Sequence, residues 1–101
     1  MSARVFDFAV FRQWLDERVR ELKEVDSNFE LTHSDAYKKP VSTVGYLGNS
    51  IAGQFSVWST GECDYEVHKN KKMVAHEWGL LLNNDSFAPN FDRFLSALQK
   101  Q

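Results

Sequence analysis

The stretch Gly53-Gln54-Phe55-Ser56-Val57-Trp58-Ser59-Thr60-Gly61-Glu62-Cys63-Asp64-Tyr65-Glu66-Val67-His68 decides the fold. Two runs with strand composition flank Ser59-Thr60-Gly61, a tight turn in which Gly61 can take a positive φ. Side chains alternate along a strand, so each arm has two faces. On the first arm Gly53, Phe55 and Val57 share one face, and Gln54, Ser56 and Trp58 share the other. On the second arm Cys63, Tyr65 and Val67 share a face, while Glu62, Asp64, Glu66 and His68 share the opposite one. The apolar sets need a cover that takes them out of water.

Two segments have the period to supply it. Phe8, Phe11, Trp14, Leu15, Val19, Leu22 and Val25 recur at steps of three and four, which predicts an amphipathic helix over about 5–25. Asp26-Ser27-Asn28 ends it. Phe87, Phe91, Phe94, Leu95 and Leu98 predict a second helix over about 86–99, with Asp85 or Ser86 as its cap. Pro89 falls in its first turn, where a missing N–H costs little. Between them the period is two. Phe29, Leu31 and His33 alternate with polar residues, and 41–47, 51–59, 62–69 and 73–80 read as further strands. The loops are Tyr37-Lys38-Lys39-Pro40, Gly48-Asn49-Ser50 and the basic turn Lys69-Asn70-Lys71-Lys72. Short connections favour antiparallel pairing over a parallel sheet, which would need crossover helices. The expected fold is α+β: an antiparallel β-meander of four or five strands with an N-terminal and a C-terminal helix packed on one face, one domain over residues 1–101. The other face of such a sheet can be wet.

Composition narrows the function. In 101 residues, apolar types make up 43% and charged types 26%, an ordinary globular balance. A net charge of −2 argues against nucleic acid, whose binders carry concentrated basic surface. A lone cysteine, Cys63, makes no internal disulfide and suits a reducing compartment. The first residues lack the order of a signal peptide, and no apolar run approaches the ~20 residues that span a bilayer. A cytoplasmic location is the expectation.

The polar face of the hairpin holds the unusual feature: Trp58 beside Gln54, Glu62, Asp64, Glu66 and His68. Like charges in a row add little to folding. One reading is a solvated face, with Trp58 lying flat on a neighbouring strand. The other is a binding patch, because tryptophan is favoured at interface centres and complementary charge speeds encounter. The machinery of catalysis is not legible. The sequence has no HExxH, CxxC or GxSxG motif and no phosphate-cradling glycine loop. Cys63 and His68 stand five apart on one strand and point to opposite faces, so they form no dyad. On its apolar face Cys63 reads as a small buried hydrophobe. A flat row of Glu62, Asp64 and Glu66 converges poorly on one cation, so no metal, cofactor or small-molecule substrate is expected. His76 and Trp78 share a face of the last strand and read as core or edge packing.

The run Val57-Trp58-Ser59-Thr60-Gly61-Glu62-Cys63-Asp64-Tyr65-Glu66-Val67 resembles the hairpin of the TriTu family of bacterial immunity proteins. The wider layout is also similar: a tryptophan on the first helix (Trp14), a Lys-Pro before a strand (Lys39-Pro40), and a closing helix. The resemblance implies a non-enzymatic antitoxin that binds one cognate toxin protein, 1:1, and blocks it. It further implies that the toxin is an ADP-ribosyltransferase acting on elongation factor Tu, at the end of an Rhs-type effector delivered by type VI secretion. The expected partner-binding residues are Trp58, Glu62, Asp64 and Glu66, with Gln54 and His68 at the rim. A small acidic secretion chaperone is the alternative, and a dimer would favour it. A small hydrolase or transferase would require a buried, convergent cluster of histidine and carboxylate.

Overall fold

Helix α1 (Phe8–Val25) begins where Asp7 takes an extended conformation and its carboxylate accepts the Val10 N–H, three residues inside the sequence-based estimate. It ends as expected, at Asp26, whose N–H donates to the Leu22 carbonyl. The computed structural model describes residues 5–35 and 39–99. Tyr37 and Lys38 of the expected 37–40 loop lie outside them.

Five strands follow: β1 (Phe29–Ser34), β2 (Val41–Leu47), β3 (Ile51–Trp58), β4 (Glu62–Lys69) and β5 (Lys72–Leu81). They pair antiparallel in chain order, so the sheet is a five-stranded meander. Helix α2 (Phe87–Gln99) closes the chain. Neither expected cap serves α2 by its side chain. The Ser86 hydroxyl turns back to accept the Asn83 N–H, and the Ser86 carbonyl accepts from Asn90. The β4–β5 turn places Asn70 and Lys71 at φ of 52° and 68°, the left-handed pair that a two-residue hairpin turn requires.

Both helices lie on one face, as the expected α+β arrangement has it. Phe29, Ser42, Val44, Phe55, Val57, Cys63, Tyr65 and Val67 point at them and are buried. Helix α1 lies along β1, and α2 spans β3 and β4. Aromatic rings join the layers. Phe55 meets Phe91 edge-on at 5.1 Å and Phe94 at 5.5 Å, while Trp14 of α1 meets Phe91 edge-on at 5.7 Å. Such pairs contribute roughly 0.5–1.5 kcal/mol each beyond the area they bury.

Gly53 sets how close α2 can come. A Cβ there would stand 2.8 Å from Leu98 Cδ2 and 3.1 Å from the Phe94 ring. The helix therefore rests on bare backbone. Gly61, at φ 94°, performs the same service at the hairpin tip, where a Cβ would meet the Leu82 carbonyl at 2.9 Å. Phe55→Ala should lower unfolding free energy by about 3–5 kcal/mol in urea titrations. Gly53→Val should cost about 1–3 kcal/mol by overpacking, although it adds apolar surface.

Candidate functional site

The six residues expected to bind a partner all lie on the sheet face away from the helices. Cross-strand register sets Gln54 opposite Glu66, Ser56 opposite Asp64, and Ala52 opposite His68. Trp58 ends β3 opposite Val41. It is half-buried, with the Lys39 ammonium 5.9 Å from its ring centre. The Trp58 ring thus meets the side chain of a loop residue, and part of it stays exposed. The centre of this face is drier than its pattern suggests. Ser56 is buried, bonded to Thr43 at 3.2 Å and to the Gln54 amide at 3.3 Å.

The carboxylates do not simply repel one another, because each is drawn to its own partner. Glu62 accepts from Lys39 and, at 3.1 Å, from the Thr60 hydroxyl. The Lys39 hydrogen bond, reinforced by Thr60, holds the Glu62 carboxyl below its ordinary range. Glu66 pairs with His68 Nε2 at 2.7 Å. Asp64 Oδ1 accepts the backbone N–H of Gly79 at 2.8 Å.

Gly79 marks the feature that the sequence reading missed. Continuing the Lys69–Lys72 register without interruption would set His76 opposite Tyr65, on the helix side. Irregularities between Val67 and His68, and between Cys63 and Tyr65, instead set His76 opposite Glu66 and leave extra β5 residues opposite Asp64. Bulges re-aim side chains in this way. His76 and Trp78 consequently stack on the polar face, ring centres 4.4 Å apart, with Trp78 57% exposed. Core packing does not account for them. Gly79, at φ 75°, was the available signal, since a glycine inside a strand often marks a bulge.

The opposite face holds a Ser–His–Asp chain. Ser42 Oγ is 2.7 Å from His33 Nδ1, and His33 Nε2 is 2.8 Å from Asp16. It is not a hydrolytic centre. Ser42 is fully buried, and its oxygen already accepts Arg12 Nε–H at 2.8 Å. A carboxylate only accepts, so His33 Nε2–H points to Asp16, and in the neutral imidazole the Ser42 hydroxyl then donates to Nδ1. The chain ties α1 to β1 and β2, and no acyl group could reach the hydroxyl. Cys63 is inert for a related reason. Burial first, then the Asp64 charge, pushes its thiol up to about 12, and His68 lies on the other face. Among the described residues no three His, Cys, Asp or Glu side chains converge as a metal would need. The main hollow lies on the helix side, between α2 and β5, lined by Tyr65, Val74, Ala75, Arg93 and Ala97. It lies away from the polar face, but a protein partner needs no pocket.

These elements define a two-layer α+β protein with its helices on one side of the sheet and a polar, aromatic-bearing strand surface on the other. The chain belongs to the TriTu family of immunity proteins: the family model, Immunity protein TriTu, matches residues 9–97. The match takes in both helices and all five strands. No curated protein and no solved structure matches the chain. Membership gives a toxin-neutralising immunity role, with a toxin protein as partner, in a family that is generally non-enzymatic. Among the described residues no helix is long and apolar enough to cross a membrane.

The Cys63 thiol should resist an aromatic disulfide reagent at pH 8 in the native protein and react at once in denaturant. Its raised ionisation also stabilises the fold at pH values below the ordinary thiol range. That contribution should disappear as pH rises from there toward about 12. Absorbance of the released thiolate checks the first expectation, and urea midpoints across pH check the second.

Proposed function

We propose that the chain, acting as one cytoplasmic domain, binds its cognate toxin 1:1 and covers the toxin's active-site cleft with the helix-free face of the sheet. The toxin class this fits is an ADP-ribosyltransferase, deployed through type VI secretion in competition between bacteria. One observation carries the reading. The helices cover only one side of the sheet, and the six candidate residues are neighbours on the other, on β3 and β4.

That surface suits a protein partner. It carries a half-exposed aromatic, Trp58, and a row of carboxylates each held in a fixed direction by an intrachain bond. Fixed side chains lose less entropy on binding than free ones. Charge on the rim tunes encounter rate and specificity more than affinity. Inhibition by occlusion needs no chemistry from the immunity protein. It needs a rigid face, and a central strand pair supplies one.

The test uses the toxin domain encoded beside this gene. The wild-type protein should form an equimolar complex and abolish toxin activity at one equivalent. Trp58→Ala with Glu66→Lys, checked for native circular dichroism, should weaken that complex by at least tenfold in titration calorimetry. Unchanged affinity in the folded double variant would place the interface elsewhere. A wild-type dimer wrapping an extended client segment would favour the secretion-chaperone alternative.

A further inference from the structure

Trp78, His76 and Asp64 form a feature that the six-residue patch does not include as a unit. We infer that the Trp78 indole and the Asp64 carboxylate together make a receptor for one arginine side chain of the bound toxin. This inference rests on the toxin-binding reading above and names the group that the face would capture.

Three observations converge on it. First, Trp78 is 57% exposed on β5, an edge strand, and no helix covers that side. An indole left this open offers a π face to a cation. His76 lies against one side of the ring, centroids 4.4 Å apart with planes at 30°. The open side of the stack is the side a partner would meet.

Second, the three carboxylates differ in what they have to spare. Glu62 is neutralised by Lys39, and Glu66 is paired with His68. Asp64 forms no ion pair among the described residues, and its bond is to a neutral N–H. That bond leaves its full negative charge in place and aims the carboxylate. Oδ1 is held at 2.8 Å by the N–H of Gly79, the residue next to Trp78. Oδ2 is left to accept from outside.

Third, the geometry is imposed by the backbone. The irregularity between Val67 and His68 places Trp78 on this face, and the second, between Cys63 and Tyr65, sets the Gly79 N–H against Asp64, with Gly79 at φ 75°. A non-glycine residue would hold that conformation only with strain. Two irregularities in the β4–β5 pairing thus bring the Trp78–Gly79 segment of β5 opposite Asp64.

A guanidinium matches this pair better than an ammonium does. It is planar, so it stacks on indole while its edge donates to a carboxylate, and it is less strongly hydrated. Lysine supplies a compact, strongly hydrated charge that meets one of the two at a time. Burying the carboxylate beneath the arginine would exclude water and strengthen the charge-assisted hydrogen bonds.

The decisive experiment is a double-mutant cycle in the complex with the toxin domain encoded beside this gene. Trp78→Ala should weaken binding at least tenfold, and Trp78→Phe should restore part of the loss. Asp64→Asn keeps an acceptor for the Gly79 N–H, so the fold should survive. It should weaken binding and reduce its dependence on salt. Each toxin surface arginine is then replaced by lysine, alone and against Trp78→Ala. One replacement should lose at least tenfold in the wild-type background and less than twofold in the Trp78→Ala background. If wild-type protein fails to bind the toxin, the functional reading itself falls. If it binds and Trp78→Ala stays within twofold of wild type, the receptor is refuted while the functional reading stands. Should Trp78→Ala weaken binding with no arginine coupled to it, the assignment of arginine is overturned.

Discussion

The Phe55 ring, set against Tyr65 on the sheet and against Phe91 and Phe94 of α2, determines which side of the sheet the helices cover. Strand side chains alternate strictly, so this one orientation fixes the rest of the hairpin. With Phe55 inward, Val57, Cys63, Tyr65 and Val67 must also face the helices, and Gln54, Trp58, Glu62, Asp64, Glu66 and His68 must face away. A one-residue slip would bury the acids and expose the core. Gly53 completes the constraint, because only a residue without Cβ lets Phe94 and Leu98 settle at this distance. The proposed toxin-binding face is therefore a by-product of how the core is packed.

Much of this was legible because it depends on periodicity. The strand and helix periods pointed to four or five strands, two helices and the side of the sheet on which each hairpin residue lies. The strand bounds of β2 and β4 match the sequence reading residue for residue, since Lys39-Pro40, the turns holding Gly48 and Gly61, and the Asn70-Lys71 turn limit them. What escaped detection depends on breaks in periodicity. The irregularity between Val67 and His68 moves His76 and Trp78 to the polar face, a second sets Gly79 against Asp64, and a period-two reading carried from the Lys69–Lys72 turn sends His76 to the wrong side. The Ser42–His33–Asp16 chain was invisible for another reason. Its members come from three elements, and only the antiparallel register sets His33 beside Ser42.

The carboxylate row illustrates how a pattern can be right about position and wrong about energetics. Sequence alone predicts mutual repulsion among Glu62, Asp64 and Glu66. In the fold, Lys39, His68 and the Gly79 N–H each take one carboxylate. The row costs less than a bare line of like charges, and it is less uniformly acidic. Among the described residues Asp64 is the one of the three with no Lys, Arg or His partner, and the N–H it accepts is that of Gly79, next in sequence to the exposed Trp78. The centre of the candidate interface thus shifts from β3–β4 toward β4–β5. That shift leaves all six sequence-based residues on the same continuous face.

The central claim is that the toxin covers the helix-free face of the sheet. Oxidative footprinting of side chains, with the protein free and then saturated with its toxin, reads this directly. The account predicts strong protection of Met73, His76 and Trp78 and partial protection of Trp58, with Phe8, Trp14 and Leu22 on the helical side unchanged. Protection of the helical side, with Trp78 and Met73 oxidised as fast in the complex as in the free protein, would contradict it.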